Sequence, residues 1–296
     1  MREKYENAVV VDAGGNYTWG EGEQGFLKNV TLTEIFSLAA LDAANVGDTE
    51  AATYGESSLF QSGIPFISCN APVGPSLPAP LPSVRISRGG VEYVVVGVLD
   101  EAARPKGVPA PSDADVALTE TLARVAAPGD VVVLLAYVKE SARARGWAKK
   151  HKDILDVVVV GGRQNDLLNA EEAAPGVWVV PVRPWNRYVG VLRLTLDDRG
   201  KVVAATNEYV PITDAITKDP AVQALIDVYH ENVRRWAASA DVFAPTDKTP
   251  PGGWSYVGAS KCAICHAETS KTWSGTPHSS TLSALEKVGR DYDPDC

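Results

Sequence analysis

The residues best suited to chemistry lie together at Lys261-Cys262-Ala263-Ile264-Cys265-His266, a C-x-x-C-H sequence. Two thiols three residues apart on one turn can add to the two vinyl groups of a single porphyrin. The next residue, an imidazole, can then reach the iron. On this reading Cys262 and Cys265 carry thioether bonds to a covalent haem c, and His266 is its proximal axial ligand. Cysteine and histidine are scarce, four of each in 296 residues. A chance match at these offsets has a probability on the order of one in a thousand for such a chain. His278 follows His266 by twelve residues, after Thr276-Pro277, and is the candidate sixth ligand of this haem or a neighbouring one. Its plain alternative is an exposed or capping histidine. Cys296, the last residue, is a candidate start of a further haem motif.

Zinc is the main rival. Cys262, Cys265 and His278 match the first three ligands of a zinc finger, but Leu282, Ser283 and Ala284 occupy the positions where a fourth is due. Cys296 could close such a site only across an unusually long gap. A thioredoxin-like dithiol fits less well, because no strand leads into the motif.

The other histidines and Cys69 have plain readings. His230 belongs on a half-exposed helix face. His151, within Lys149-Lys150-His151-Lys152, is expected to be solvated. Cys69 ends an apolar run and reads as a buried, inert thiol. Trp273 could pack on a porphyrin face or anchor a small core.

Net charge is −9 and the pI about 5.0, which argues against nucleic acid or an anionic membrane as partner. No apolar run approaches a membrane span. Thioether attachment takes place outside the bacterial cytoplasm, yet Met1-Arg2-Glu3-Lys4 carries charges where a secretory signal has apolar residues. The expectation is a fragment or processed form, periplasmic or extracellular.

Several elements must position these residues. Ala8 to Asp12 reads as a buried strand ending in the Ala13-Gly14-Gly15 turn. Thr31 to Ala44 reads as a helix, with Thr31 and Glu34 as a capping box and Leu32, Ile35, Phe36 and Ala39 as its apolar face. Gly63 to Ser68 is a strand, followed by a proline-rich loop. Val84 to Ile86 and Tyr93 to Leu99 form a hairpin around Gly89-Gly90. A helix over Asp113 to Ala126, a strand over Asp130 to Leu135, a charged helix over Glu140 to His151 and a valine strand over Asp156 to Val160 follow. This alternation predicts α/β with a buried central sheet. Val177 to Val182, Tyr188 to Leu196 and Val202 to Tyr209 are β-rich. A helix capped by Asp219, with Pro220 at its first position, carries the stripe Val222, Leu225, Ile226, Tyr229, Val233 and Trp236. The expected organisation is a domain over 1–240, a Pro/Gly linker over 241–253, and the start of a cytochrome domain over 254–296.

Residues to about 235 resemble the catalytic domain of the 5′-nucleotidase branch of the calcineurin-like metallophosphoesterases. Val10 to Gly15 is similar to that family's Leu-Asp-Ala-Gly-Asp strand. Asn45 to Glu50 stands where it has Gly-Asn-His-Glu. Ile64 to Asn70 resembles its Phe-Pro-x-x-Ser-Ala-Asn strand. Asp130 to Ala136 matches its strand ending in Ser-His, and Val157 to Asn165 its Gly-Gly-His-Thr-His. The resemblance implies a layered α/β/β/α sandwich, followed here by a small, mostly helical haem-binding segment. It also implies a lost metal site, because two-metal hydrolysis needs carboxylates and neutral imidazoles around the cations. Gly15 replaces the second aspartate, Asp48 the asparagine and Thr49 the catalytic histidine. Ala136, Arg163 and Asn165 replace later histidines, and Asp12 is read as structural. No divalent metal is expected there; a hydrolase with a redrawn ligand set is the alternative, and Arg163 and Asn165 could bind an anion.

Residues 254–296 resemble the start of multihaem cytochromes of the cytochrome c554 type, through Tyr256-Val257-Gly258, Cys262 to His266, Trp273, Thr276-Pro277-His278 and Tyr292 to Cys296. The two resemblances together imply an electron carrier fused to a degenerate phosphoesterase. Its expected partners are redox proteins or further haem domains.

Overall fold

The structure is a computed structural model, and it describes residues 5, 7–18, 22–53, 63–71, 80–104, 108, 110–162, 167–183, 186–240 and 258–293. The chain divides into two compact units, Met1–Leu225 and Ile226–Cys296.

In the first unit β1 (Val11–Asp12), β2 (Ala43–Asn45) and β3 (Phe66–Ile67) form a parallel three-stranded sheet. Helix α1 (Gly22–Ala39) connects β1 to β2, and the short α2 (Asp48–Thr53) follows β2. Six strands build the main sheet: β4 (Ser83–Arg88), β5 (Val91–Leu99), β6 (Val131–Tyr137), β7 (Val157–Gly161), β8 (Glu171–Ala174) and β9 (Val177–Pro181). Their order is β4-β5-β6-β7-β9-β8, parallel from β5 to β9 with an antiparallel strand at each edge. Helix α3 (Ala114–Val125) links β5 to β6, and α4 (Ser141–Lys150) links β6 to β7. A hairpin of β10 (Tyr188–Leu196) and β11 (Val202–Pro211) precedes α5 (Pro220–Ala240).

Strand β6 shows why the main sheet sits in the middle. Successive strand side chains point to opposite faces, so a strand covered on both sides must be apolar throughout. Val132, Leu134 and Ala136 join the core under α3 and α4, with Leu118, Leu122, Ala144 and Trp147. Val131, Val133 and Leu135 join a second core with Ala43, Ile67 and Val202, against which Leu192, Leu194 and Leu196 pack. Helices α3 and α4, the main sheet and the smaller sheet with the β10–β11 hairpin thus stack in layers, in keeping with the α/β/β/α sandwich that the resemblance implies. Arg85 grips Asp130 with two hydrogen bonds, 2.7 and 3.0 Å, tying β4 to the turn before β6.

Several boundaries move. Helix α1 begins nine residues before the expected start, and Thr31 lies inside it with its hydroxyl donating to the Leu27 carbonyl. It ends at Ala39; Ala40 adopts a left-handed φ of 49°, and the chain then enters β2. The β4–β5 hairpin is as predicted, turning through Gly89 and Gly90 at φ 59° and 78°, a pair that glycine alone adopts freely. His151 is buried, 7% exposed, rather than solvated. It caps α4, and burial lowers its pKa.

In the second unit, α6 (Ala259–Cys265), α7 (Ala267–Ser274), a 3₁₀ turn (Pro277–Ser280) and α8 (Thr281–Lys287) succeed one another. The segment is helical, as expected. The predicted linker over 241–253, the tail at Cys296, and Arg163 and Asn165 lie outside the described residues. Among the described residues no helix is long and apolar enough to cross a membrane.

Candidate functional site

Two places matter: the buried polar cluster at the carboxyl ends of β1, β2 and β6, and the cysteine pair on α6. In the cluster, Asp12 ends β1. Its Oδ1 accepts from the Gly14 N–H at 2.8 Å and the Asn16 side-chain amide at 2.6 Å. Burial pushes its carboxyl up, and those two donors pull against the shift. Asp12 thus braces the turn after β1.

Glu50, on α2, is 1% exposed. Its Oε2 accepts from the Gly15 N–H at 2.7 Å, the Gly47 N–H at 3.0 Å and the Thr49 hydroxyl at 3.3 Å; its Oε1 accepts from the Asn16 N–H at 2.8 Å. Burial raises its pKa, opposed by the amides, while the nearby Asp12 charge adds to the rise. Asp48, at the start of α2, accepts from its neighbour's N–H at 2.8 Å and from the Tyr137 hydroxyl at 2.6 Å. The Tyr137 ring lies over Gly15: a Cβ there would sit 2.5 Å from the ring edge.

The structure moves one position. Ala136, where the resemblance places a ligand histidine, is buried under the helices. The β6 residue that reaches the cluster is Tyr137, one later. Tyr137 was not singled out in the sequence, and Glu50 entered only as the last residue of the stretch that stands where the family has Gly-Asn-His-Glu. The available signal was an acidic residue just after Gly-Asp-Thr and an aromatic at the end of an apolar strand. Among the described residues no group of three or more His, Cys, Asp or Glu side chains is placed to hold a metal ion.

On α6, Cys262 and Cys265 are both exposed and lie at helical positions i and i+3, on one side of the helix. His266 ends α6 and opens α7, with its N–H donating to the Cys262 carbonyl at 2.9 Å. Its ring is exposed. The donor set fits a thioether-linked haem: two thiols on one helical turn and an imidazole beside them. His278 lies in the 3₁₀ turn and is exposed. His230 is half-buried on α5, its Nε2 3.2 Å from an Arg290 nitrogen, and Arg290 also pairs with Asp293. Cys69 is partly buried and packs on the helix-side core, and burial pushes its thiol up to about 12.

Within residues 258–293 only Asp293 is buried. Ile264, Trp273, Leu282 and Val288 are 80%, 53%, 60% and 68% exposed. A helical segment with its large apolar residues in water lacks a core of its own.

The comparisons bear on about four-fifths of the chain. A 5′-nucleotidase precursor from Thermus thermophilus superposes with a TM-score of 0.58 at 18% identity, covering 78% of this chain and 50% of that one. The Thermus thermophilus sulfate thiohydrolase SoxB, solved with glycerol, gives 0.62 at 16%, covering 78% and 44%. The Haemophilus influenzae NAD nucleotidase gives 0.53 at 15%, covering 80% and 53%. The chain shares its α/β fold with these two nucleotidases and the thiohydrolase. At these identities the likeness shows the fold alone, and the chain spans about half the length of these structures. No protein-family model matches the sequence, and a comparison with curated proteins gives no match.

Proposed function

We propose that this protein carries electrons through a covalent haem c on Cys262, Cys265 and His266, and that its 5′-nucleotidase-like unit serves as scaffold or docking surface rather than as a hydrolase. The observation that carries the reading is the C-x-x-C-H sequence on an exposed helical turn, inside a segment whose apolar side chains lack a core. When bound, the haem supplies one-electron chemistry at its iron. The chain's own residues attach, orient and shield. Cys262 and Cys265 fix the ring through the side of α6 that carries both thiols. His266 offers its imidazole from the break between α6 and α7, and His278 is the candidate second imidazole. Ile264 and Trp273 provide apolar surface that a porphyrin face would cover. Redox partners or further haem domains would complete the burial, in the periplasm or outside the cell.

A second reading, metal-dependent hydrolysis with an altered ligand set, rests on the fold: the names of the structural neighbours, two of them nucleotidases, favour it for the first unit. Against it stand the amide-bound Glu50, the Tyr137 phenol over Gly15 and the lack of a ligand cluster among the described residues. One preparation separates the two. Protein matured with a cytochrome c assembly system should give a pyridine haemochrome spectrum of thioether-linked haem, and should show no nucleoside monophosphate hydrolysis that chelators abolish. Chelator-sensitive turnover without covalent haem would establish the second reading.

A further inference from the structure

We infer that His230 pins a clasp holding the turn of residues 288–293 on α5, and that a proton on its ring opens that clasp, so that acid frees the end of the helical segment. Over residues 258–293 the one buried residue is charged: Asp293, 4% exposed. With its large apolar side chains in water, the segment has a polar anchor in place of a core. Asp293 closes the turn. Its backbone N–H donates to the Arg290 carbonyl at 3.1 Å, and its carboxylate pairs with the Arg290 guanidinium. That guanidinium also reaches α5, with one terminal nitrogen 3.2 Å from His230 Nε2. Arginine can only donate, so Nε2 must accept, and the ring must be neutral with its proton on Nδ1. An imidazolium has no place here. It would set a second N–H against the guanidinium. Nδ1 is buried with no hydrogen-bond partner among the described residues, so no carboxylate there steadies a charged ring. The charges acting on His230 are Asp227 and Arg234 on α5, and Arg290 and Asp293 on the turn; the Tyr229 ring lies 5.3 Å away. Burial and then Arg290 push its pKa down, outweighing the two aspartates. The clasp is therefore at full strength above the ordinary histidine value of about 6.5 and is lost as pH falls through the lower, folded one. Beside it, Arg234, paired with Glu231 at 2.9 Å, lies over the Tyr292 ring at 4.8 Å. The inference concerns this contact and does not depend on haem attachment.

The test is hydrogen exchange by mass spectrometry on the full chain. The turn's own amides report on it: Gly289, Arg290 and Asp293 donate to the carbonyls of Glu286, Leu285 and Arg290. After correction for intrinsic exchange, their open fraction should rise roughly tenfold from about pH 7.5 to about pH 5, under a ceiling of about thirtyfold that an ordinary imidazole sets. Peptides from β6 should not respond. His230→Gln keeps an oxygen able to accept from Arg290 and takes up no proton, so its turn should stay closed at both pH values. In ¹³C,¹⁵N-histidine-labelled wild type, NMR should show His230 as the Nδ1–H tautomer at neutral pH, with a titration midpoint below about 6.5. If His230→Gln leaves the turn open at neutral pH, the tautomer and the midpoint decide. Equal protection of the wild-type turn at both pH values, an acid response retained in His230→Gln, which a carboxylate would cause, or an Nε2–H tautomer would each overturn the inference.

Discussion

Gly15→Ala tests the packing of the buried cluster most sharply. Gly15 has a φ of 87°, so alanine there takes on the left-handed penalty of about 1–2 kcal/mol. Its Cβ would also lie 2.5 Å from Tyr137 Cε2 and 2.9 Å from the phenol oxygen, against a side chain that is 3% exposed and has no free space to retreat into. Overpacking of that kind costs about 1–3 kcal/mol. The sum is about 2–5 kcal/mol, or roughly 5–15 °C in melting temperature for a unit of this size. A double-mutant cycle separates the two parts, measured by urea unfolding followed by tryptophan fluorescence. Tyr137→Ala removes the ring, so Gly15→Ala in that background should lose only the backbone part, a coupling of about 1–3 kcal/mol. Tyr137→Phe keeps the ring and removes the hydroxyl that donates to Asp48. In that background the clash with the ring edge should persist. Additive costs of Gly15→Ala and Tyr137→Ala would refute the claim that the phenol fills the space over Gly15.

Two carboxyls should show opposite pH slopes. Burial raises the Asp12 pKa, so the stability it contributes is present below the unfolded value of about 3.9 and is lost as pH rises through its folded pKa. Asp12→Asn keeps the oxygen that Gly14 and Asn16 address, so it should gain on wild type in urea titrations as pH rises above about 4, until the folded Asp12 has ionised. Arg85 lowers the Asp130 pKa, so Asp130→Asn should cost about 1 kcal/mol at pH 7, the Arg85 head being half exposed, and nothing once pH falls well below 4. Trp147→Ala, at a side chain 1% exposed between α4 and the sheet, should cost about 3–5 kcal/mol by the same assay. In apoprotein, iodoacetamide should label Cys262 and Cys265 quickly and Cys69 slowly, whose thiol is pushed up to about 12; after haem loading, the first two should become unreactive.

What could be read from sequence follows the length and regularity of each signal. The valine-rich strands β5, β6, β7 and β9 announce themselves, because a strand buried on both faces has no polar residues to break the run. The Gly89-Gly90 turn acts locally and so is legible locally. Strand β2 is Ala-Ala-Asn and α2 only six residues long; neither has a periodicity to detect, and each exists because neighbours hold it. Helix α1 buries Gln24, Asn29 and Thr33, so a search for an apolar stripe misplaced its start. Tyr137 and Glu50 were illegible for a different reason. Gly15 and Asn16 lie in the turn after β1, far from Glu50 in the chain, and Asp48 opens α2, far from Tyr137, so only the fold brings them together. The cysteine pair is the opposite case, since its chemistry is written in adjacent residues and needs one helical turn to be expressed.

The central claim is a covalent bond between two sulfurs and a porphyrin, and intact-protein and peptide mass spectrometry tests it most directly. Protein exported through a cytochrome c maturation system should show the mass of one haem on the peptide containing Cys262 and Cys265, retained after acid–acetone extraction and lost in Cys262→Ala/Cys265→Ala. Both thiols unmodified in such material would contradict the account.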